Sequence, residues 1–143
     1  MNSTNKPDFI IFTDGGSRGN PGEAAYGFVV QDGENEIIYQ EGKRIGINTN
    51  NVAEYSGVVA ALQWLVKNVD KDNITVQFFL DSQLVASQLG GLWKIKNENL
   101  RSLFFTIKSL EEKLEGKIFY HAIPREKNFA ADRMVNLALD HKI

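Results

Sequence analysis

The apolar positions of this chain follow two spacings, one typical of strands and one typical of helices. Short β-rich runs predict strands over residues 9–13, 24–30, 36–40, 74–80 and 117–123. The turn signal Asp32-Gly33 between the second and third runs indicates an antiparallel meander. The run over 74–80 is almost continuously apolar, which is typical of a strand covered on both faces.

Helical spacing of apolar residues begins after the third strand. The first long helix carries Tyr55, Val58 and Leu62 on one face, and Asn51 is its expected N-cap. Three further helices are predicted over 82–89, 99–114 and 128–140, and Gly116 ends the middle one. In the last helix Phe129 is among the apolar residues expected to pack.

This order of elements predicts an α/β fold with one five-stranded mixed sheet flanked by helices. The strand after the first long helix must return parallel to the sheet by a right-handed crossover. The first strand is expected to end at Asp14, before a glycine-rich loop, and the fourth ends at Asp81. If these two strands are neighbours, both aspartates lie at the edge where open α/β sheets bind their ligands.

Length and composition limit the classes of protein that remain. With 143 residues, the chain is expected to form a single domain over 1–143. Its apolar runs fall far short of the roughly 20 residues that a membrane-spanning helix needs. The polar segment 1–8 lacks the pattern of a secretory signal, so a cytoplasmic location without membrane contact is expected.

The absence of cysteine narrows the candidate chemistry. It excludes disulfides, thiolate zinc sites and cysteine nucleophiles, which leaves carboxylates and two histidines as ligands and catalysts. Two aspartates at adjacent strand ends repel each other, and a divalent cation is the simplest partner for both. Oxygen ligands alone suit Mg²⁺ or Mn²⁺ better than zinc. A net charge of −2 argues mildly against a nucleic-acid partner, so local placement has to decide.

Four segments of the chain together resemble one known family. They read Thr-Asp-Gly-Gly-Ser-Arg-Gly-Asn-Pro-Gly over 13–22, Thr-Asn-Asn-Val-Ala-Glu over 49–54, Leu-Asp-Ser-Gln over 80–83 and Asn-Phe-Ala-Ala-Asp over 128–132. In content and order these are similar to the signature segments of the type 1 ribonuclease H family. The resemblance extends from residue 9 to about residue 140.

The resemblance implies a ribonuclease H-like fold and an endonuclease that cuts the RNA strand of RNA/DNA hybrids. It implies that two Mg²⁺ ions, with Mn²⁺ as a substitute, are held about 4 Å apart around the scissile phosphate. The products would carry 5′-phosphate and 3′-hydroxyl ends, and a monomer is expected. The implied catalytic and metal-binding residues are Asp14, Glu54, Asp81 and Asp132.

The same likeness implies a substrate surface. Its polar amides would touch the minor groove, where the RNA 2′-hydroxyl distinguishes the two strands. The implied substrate-binding residues are Gly15, Gly16, Asn20, Asn50, Asn51, Ser82, Gln83 and Lys94. Because only residues 90–99 separate the two middle helices, the basic protrusion of some family members is expected to be missing. Affinity would then rest on a few cations such as Lys94, Lys96 and Arg18.

One loop departs from the family pattern. Many members have a histidine before the last helix, but here residues 123–128 read Ile-Pro-Arg-Glu-Lys-Asn. Arg125 is the expected substitute, and its role would be electrostatic because an arginine cannot act as a base near neutral pH. His121 on the preceding strand is the alternative. Trp64 and Trp93 are expected to pack rather than to stack on bases.

Each site residue also has a structural interpretation. Glu54 could complete a capping box with Asn51, Asp14 could be a turn residue and Asp81 a helix cap. Asp132 would interact favourably with the dipole of its helix in any protein. Two rival functions remain as alternatives: a non-catalytic nucleic-acid-binding domain, and a metal nuclease of the same fold with another substrate, such as a transposase-like core or a Holliday-junction resolvase.

Overall fold

The computed structural model of the protein describes residues 6–91 and 94–143. Nine regular strands and helices follow one another in these ranges, with a short 3₁₀ turn at Arg125–Lys127 before the last helix. They are β1 Phe9–Arg18, β2 Gly22–Asp32, β3 Ile37–Asn48, α1 Asn50–Asn68, β4 Thr75–Leu80, α2 Gln83–Leu89, α3 Glu98–Leu114, β5 Lys117–Ala122 and α4 Phe129–Leu139.

The strands form one mixed sheet in the order β3-β2-β1-β4-β5. β1, β2 and β3 make an antiparallel meander, whereas β4 lies parallel to both β1 and β5. The prediction of a five-stranded mixed sheet is therefore confirmed. The predicted parallel return is also confirmed, because β4, which follows α1, pairs directly with β1.

The helices cover the two faces of the sheet unequally. α1 packs on one face and contacts α3, and their apolar sides enclose the main core, which includes Phe28, Leu62, Phe78 and Ile107. α4 packs on the other face, over β1, β2 and β3. Burial of this apolar surface is the main favourable contribution to folding. Within the described ranges, no helix is both long enough and apolar enough to cross a membrane.

β1 is longer than the sequence predicted. The prediction that it ends at Asp14 before a glycine loop is wrong, because the strand continues to Arg18. Its extension pairs with β2, for example Gly16 with Ala25, and this pairing satisfies backbone groups that a loop would leave to solvent. Glycine lowers the intrinsic strand preference of this segment, but the tertiary pairing outweighs that preference.

Two local predictions about helices are also wrong. The N-cap of α1 is Thr49, whose Oγ1 accepts a hydrogen bond from the Val52 amide at 3.2 Å, and Asn51 lies inside the helix. A capping box between Asn51 and Glu54 is thereby excluded. In α4, Phe129 does not pack into the core, because its side chain is 71% exposed.

Candidate active site

Three carboxylates meet at one edge of the sheet. Each of Asp14, Glu54 and Asp81 offers an oxygen, and these oxygens all lie within 4.8 Å of one another. The parallel pairing of β1 with β4 places Phe12 opposite Phe79, and Asp14 and Asp81 each follow two residues later. The prediction that these two aspartates are neighbours is therefore confirmed.

Glu54 joins this cluster because α1 approaches β1 very closely at Gly15. A Cβ atom on Gly15 would lie 2.2 Å from the carbonyl carbon of Ala53 and 2.4 Å from the amide nitrogen of Glu54. No other residue fits there without moving the backbone of the helix. The glycine that follows Asp14 therefore has a packing role, since it lets the first turns of α1 lie against the strand that carries Asp14.

The carboxylates of the cluster are not balanced by enough positive charge or hydrogen-bond donors around them. Burial is the largest cause that raises the pKa of Asp14, and the nearby charge of Asp81 adds to it, so that this pKa reaches about 7. Burial and the charge of Asp14 also raise the pKa of Glu54 well above its usual value. The buried Oε2 of Glu54 has no hydrogen-bond partner among the described residues. An oxygen-only donor set with an unpartnered carboxylate oxygen fits a hard divalent cation.

Asp132 completes the acidic edge from the opposite face of the sheet. It lies in the first turn of α4, and its charge is a further cause of the raised pKa of Asp14. Its carboxylate accepts a hydrogen bond from Nδ2 of Asn136 at 3.3 Å. The fold thus brings all four predicted carboxylates together, with three in a tight group and Asp132 beside Asp14.

Asn128 belongs to this region although the sequence assigned it no role. Only 1% of the residue is exposed, and its Nδ2 donates to the carbonyl of Thr13 at 2.8 Å and to Oδ2 of Asp81 at 3.3 Å. An asparagine directly before a helix has the pattern of an N-cap. Asn128 does not act in this way, because its side chain points into the protein and makes no cap hydrogen bond.

Arg125 and His121 have different surroundings. Arg125 lies on the exposed 3₁₀ turn, and its positive charge lowers the pKa of Glu54 against the larger effects of burial and like charge. The His121 Nε2 is hydrogen-bonded to the side-chain oxygen of Gln77, and its ring stacks on Phe79 with 5.1 Å between ring centroids. Arg125 is therefore the one of the two with an electrostatic link to a cluster carboxylate.

Two predicted substrate residues tie the start of α1 to the end of β1. The side-chain oxygen of Asn50 accepts from the Ser17 amide at 2.8 Å, and the Asn50 amide donates to the side-chain oxygen of Asn20 at 3.0 Å. Gly16 lies at the same place, since a Cβ there would be 3.8 Å from the Asn50 side-chain oxygen. These contacts position backbone as well as offering polar groups to a ligand.

Asn20 and Asn51 line a groove of about 400 Å³ together with residues from the start of α3. Three further asparagines, Asn48, Asn97 and Asn99, lie on this groove. The sequence analysis missed all three. The polar run before α3 was a possible signal, but helix N-termini often have such runs for capping, and Asn97 does cap α3 by accepting from the Leu100 amide at 3.1 Å.

The remaining predicted substrate residues are spread over α2 and the segment that follows it. The Ser82 hydroxyl caps α2 by accepting from the Val85 amide at 3.2 Å. Gln83 is exposed and lines a cavity of about 320 Å³ with Ser87 and His121.

Among the predicted cations, Lys94 and Lys96 are exposed, and Arg18 pairs with Asp140 at 2.7 Å. Trp93, which follows α2 in the sequence, lies outside the described residues. Trp64 stacks on Tyr39, with 5.0 Å between ring centroids, so its expected packing role is confirmed.

The family follows from a comparison with known proteins. A family model described as RNase H matches residues 6–138. The chain belongs to the RNase H family. This membership confirms the resemblance to ribonuclease H and the fold that the resemblance implied.

Individual relatives agree with this assignment to the RNase H family. A bifunctional protein of Mycobacterium tuberculosis is 41% identical over 132 residues, which cover 92% of this chain and 35% of that protein. Ribonuclease HI of Halobacterium salinarum is 39% identical over 129 residues, covering 90% of this chain and 63% of that protein. The chain thus spans about a third of the length of the mycobacterial relatives that it matches.

A solved structure of LC11-RNase H1 in complex with an RNA/DNA hybrid is also similar. Its TM-score is 0.85 and its sequence identity is 38%, and the match covers 94% of this RNase H chain and 98% of that one.

Proposed function

We propose that this RNase H chain is a metal-dependent endonuclease that hydrolyses the RNA strand of RNA/DNA hybrids and leaves 5′-phosphate and 3′-hydroxyl ends. The observation that carries the proposal is the buried group of Asp14, Glu54 and Asp81, with Asp132 beside it. Buried carboxylates with raised pKa values, here Asp14 and Glu54, are typical of a functional site when they lie at the edge of an open α/β sheet.

The four carboxylates would hold two Mg²⁺ ions, with Mn²⁺ as a substitute. Such ions supply activation of a water molecule and stabilisation of the charge on the leaving 3′ oxygen. The protein supplies the oxygen ligands, and burial of Asp14 and Glu54 limits competition from water. The raised pKa values support this assignment, because a site with uncompensated carboxylates gains most from binding a cation.

Arg125 would act on the phosphate rather than on a proton. Its exposed guanidinium lies on the turn beside the acidic edge and is electrostatically linked to Glu54. A guanidinium stays charged at every accessible pH, so it can attract the scissile phosphate or assist the departure of the product. His121 is hydrogen-bonded to Gln77 and is the weaker candidate for this role.

The asparagine groove and the start of α2 would bind the hybrid. Asn20, Asn51 and Gln83 carry amides that both donate and accept hydrogen bonds, as recognition of a 2′-hydroxyl requires. The Asn50 amide holds the Asn20 side chain by a hydrogen bond at 3.0 Å, and Gly15, Gly16 and Ser82 would complete the substrate surface. Lys94 would add a phosphate contact. The hybrid-bound structure of LC11-RNase H1 supports this choice of substrate.

A cleavage assay tests the proposal directly. Labelled RNA/DNA hybrid, duplex RNA and duplex DNA are incubated with the protein, with Mg²⁺ or with a chelator, and Asp14→Asn serves as the control. Cleavage of the RNA strand of the hybrid, dependent on Mg²⁺ and absent in the variant, is expected. Binding of the hybrid without cleavage would indicate a non-catalytic domain, and preferred cleavage of DNA would indicate a nuclease with another substrate.

A further inference from the structure

Asn128 lies where three carboxylate-bearing elements meet. Its side-chain Nδ2 donates to the carbonyl of Thr13 on β1 at 2.8 Å and to Oδ2 of Asp81 after β4 at 3.3 Å. Its backbone carbonyl accepts from the Asp132 amide in α4 at 3.1 Å. One residue thus touches the chain next to Asp14, the side chain of Asp81 and the backbone of Asp132.

The helix gives up a local interaction for these contacts. Asparagine at the N-cap position normally accepts a hydrogen bond from the first turn of its helix, and this stabilises the helix. Asn128 makes no such bond, because its amide points inward and only 1% of the residue is exposed. The 3₁₀ turn before it bends the chain into this position, where the Asn128 amide donates to the Arg125 carbonyl at 2.9 Å.

An uncharged donor is the group that this position requires. A carboxylate with one oxygen in a hydrogen bond loses freedom of rotation, and its other oxygen stays available to a cation. A lysine or arginine could hold Asp81 as well, but its charge would neutralise part of the acidic cluster and compete with the metal. The amide of Asn128 orients Asp81 and leaves the charge of the cluster unchanged.

We propose that Asn128 is a positioning residue, which fixes the Asp81 carboxylate and the start of α4 so that the acidic cluster is arranged for metal before the metal binds. The inference rests on the proposed metal-dependent function. Partners that orient metal ligands typically change affinity or activity about ten- to hundredfold when they are removed. A residue that only docks α4 would change the stability of the fold and leave the metal affinity of the folded protein unchanged.

The test compares Asn128→Ala and Asn128→Ser with a matched control, Gln88→Ala. Gln88 is also a buried amide, 7% exposed, but its side-chain oxygen accepts from the Tyr55 hydroxyl at 2.6 Å and contacts no carboxylate of the cluster. Mn²⁺ is titrated into each metal-free protein while the paramagnetic resonance signal of free Mn²⁺ is followed. Thermal melting without metal confirms that each variant is folded at the titration temperature.

The expected result separates affinity from stability. Asn128→Ala binds Mn²⁺ about ten- to hundredfold more weakly than the wild type. The Mn²⁺ affinity of Asn128→Ser falls between those of the wild type and Asn128→Ala, because the shorter serine hydroxyl can donate to only one of the two acceptors. Gln88→Ala loses thermal stability and keeps wild-type Mn²⁺ affinity. On the hybrid, Asn128→Ala lowers kcat at saturating hybrid and leaves KM little changed.

Two results would overturn the inference, and they differ from each other. If folded Asn128→Ala binds Mn²⁺ as tightly as the wild type, the positioning role is refuted and the metal site is not. If Asn128→Ala does not melt cooperatively, the Mn²⁺ affinity of Asn128→Ser is used for the same decision. If the wild type itself binds Mn²⁺ no more tightly than Asp14→Asn, the proposed metal site fails and the inference fails with it.

Discussion

The acidic cluster and the asparagine groove both include residues from the first turns of α1, but they differ in burial and in charge. Asp14 and Glu54 are buried acidic residues, and Glu54 Oε2 has no partner among the described residues. Asn20 is exposed and Asn51 is half-buried, and both are neutral. The Asn20 side chain is bonded to the backbone of Asn50.

This difference shows what each region demands of the fold. Like charges held together without water destabilise the folded state, so the cluster needs rigid elements around it, namely two paired strands and two helices. Neutral amides at the surface can bond to water or to each other, and they lie on a turn and on helix ends at little cost. We therefore expect substitutions in the cluster to change catalysis and stability together, and substitutions in the groove to change substrate binding alone.

The largest expected effect is on cleavage by Asp14→Asn and by Asp81→Asn. An amide keeps the shape of the side chain but removes the charge that binds metal, so the rate should fall by at least about a thousandfold, or ~4 kcal/mol in the barrier. Initial rates on labelled hybrid measure this. Asp72→Asn is the matched control, because Asp72 is exposed on the turn before β4. Wild-type rates in either cluster variant would contradict the assignment of these residues.

The second prediction concerns the stability of the metal-free protein between about pH 4 and pH 7. Asp14 has a pKa of about 7 in the folded state, against an ordinary value of 3.8. Between these values the unfolded chain loses a proton that the folded protein keeps, so stability falls as pH rises through this window and is level above it. The loss should amount to roughly 1 to 4 kcal/mol.

Asp14→Asn should reduce this loss, because an amide does not titrate, and the pH dependence that remains would come from Glu54, whose pKa is also raised. Urea unfolding of both proteins in the presence of a chelator, at several pH values, gives the difference in the free energy of unfolding. At pH 8, millimolar Mg²⁺ or Mn²⁺ should raise the melting temperature of the wild type and not that of the variant. If the free energies of unfolding of the two proteins change with pH in parallel, or if metal raises both melting temperatures equally, then Asp14 does not destabilise the metal-free fold in the way described above.

A smaller effect is expected at Arg125, on the exposed turn before α4. Arg125→Ala should lose about one to two powers of ten in rate, a cost of about 1.4 to 2.7 kcal/mol in the barrier. Arg125→Lys should retain much of the rate, because charge is sufficient for the proposed role. The pH-rate profiles of wild type and Arg125→Ala should share one shape, since arginine does not titrate in the accessible range.

His121→Ala is the comparison for that experiment. A wild-type inflection near neutral pH that disappears in His121→Ala would transfer the assisting role from Arg125 to His121.

The smallest effect is expected in the groove. Asn51→Ala should raise KM for the hybrid several-fold, in line with the loss of about 1 kcal/mol for a hydrogen bond, and leave kcat and Mn²⁺ affinity unchanged. Asn99→Ala tests whether the groove extends to α3 and should act in the same direction. Asn68→Ala is the control, because Asn68 is exposed at the far end of α1 and bonds only to the Trp64 carbonyl at 2.9 Å. A fall in kcat without a rise in KM would contradict the distinction between the two regions.

The order of the elements and the identity of the four carboxylates could be read from the sequence. Periodic apolar positions predict strands and helices because each element must bury one face. The run over 74–80 predicted β4, but only alternate residues of this strand are buried, so one face is covered more completely than the other. Asp14 and Asp81 each close an apolar run, and this pattern predicted their meeting on the condition that the two strands are neighbours in the sheet. These signals are local. The rule that crossovers between parallel strands are right-handed restricts the sheet topologies that such elements can form.

Only the tertiary structure decided how the residues around the carboxylates are used. Gly15 looked like part of a loop and proved to be the point where α1 meets β1, and Asn51 looked like a cap that Thr49 provides. Asn128 and Thr13 are 115 positions apart in the chain, so no local pattern could reveal their hydrogen bond. Propensity and spacing describe what a residue can do with its neighbours in sequence, whereas close approach and burial depend on segments that meet only after folding.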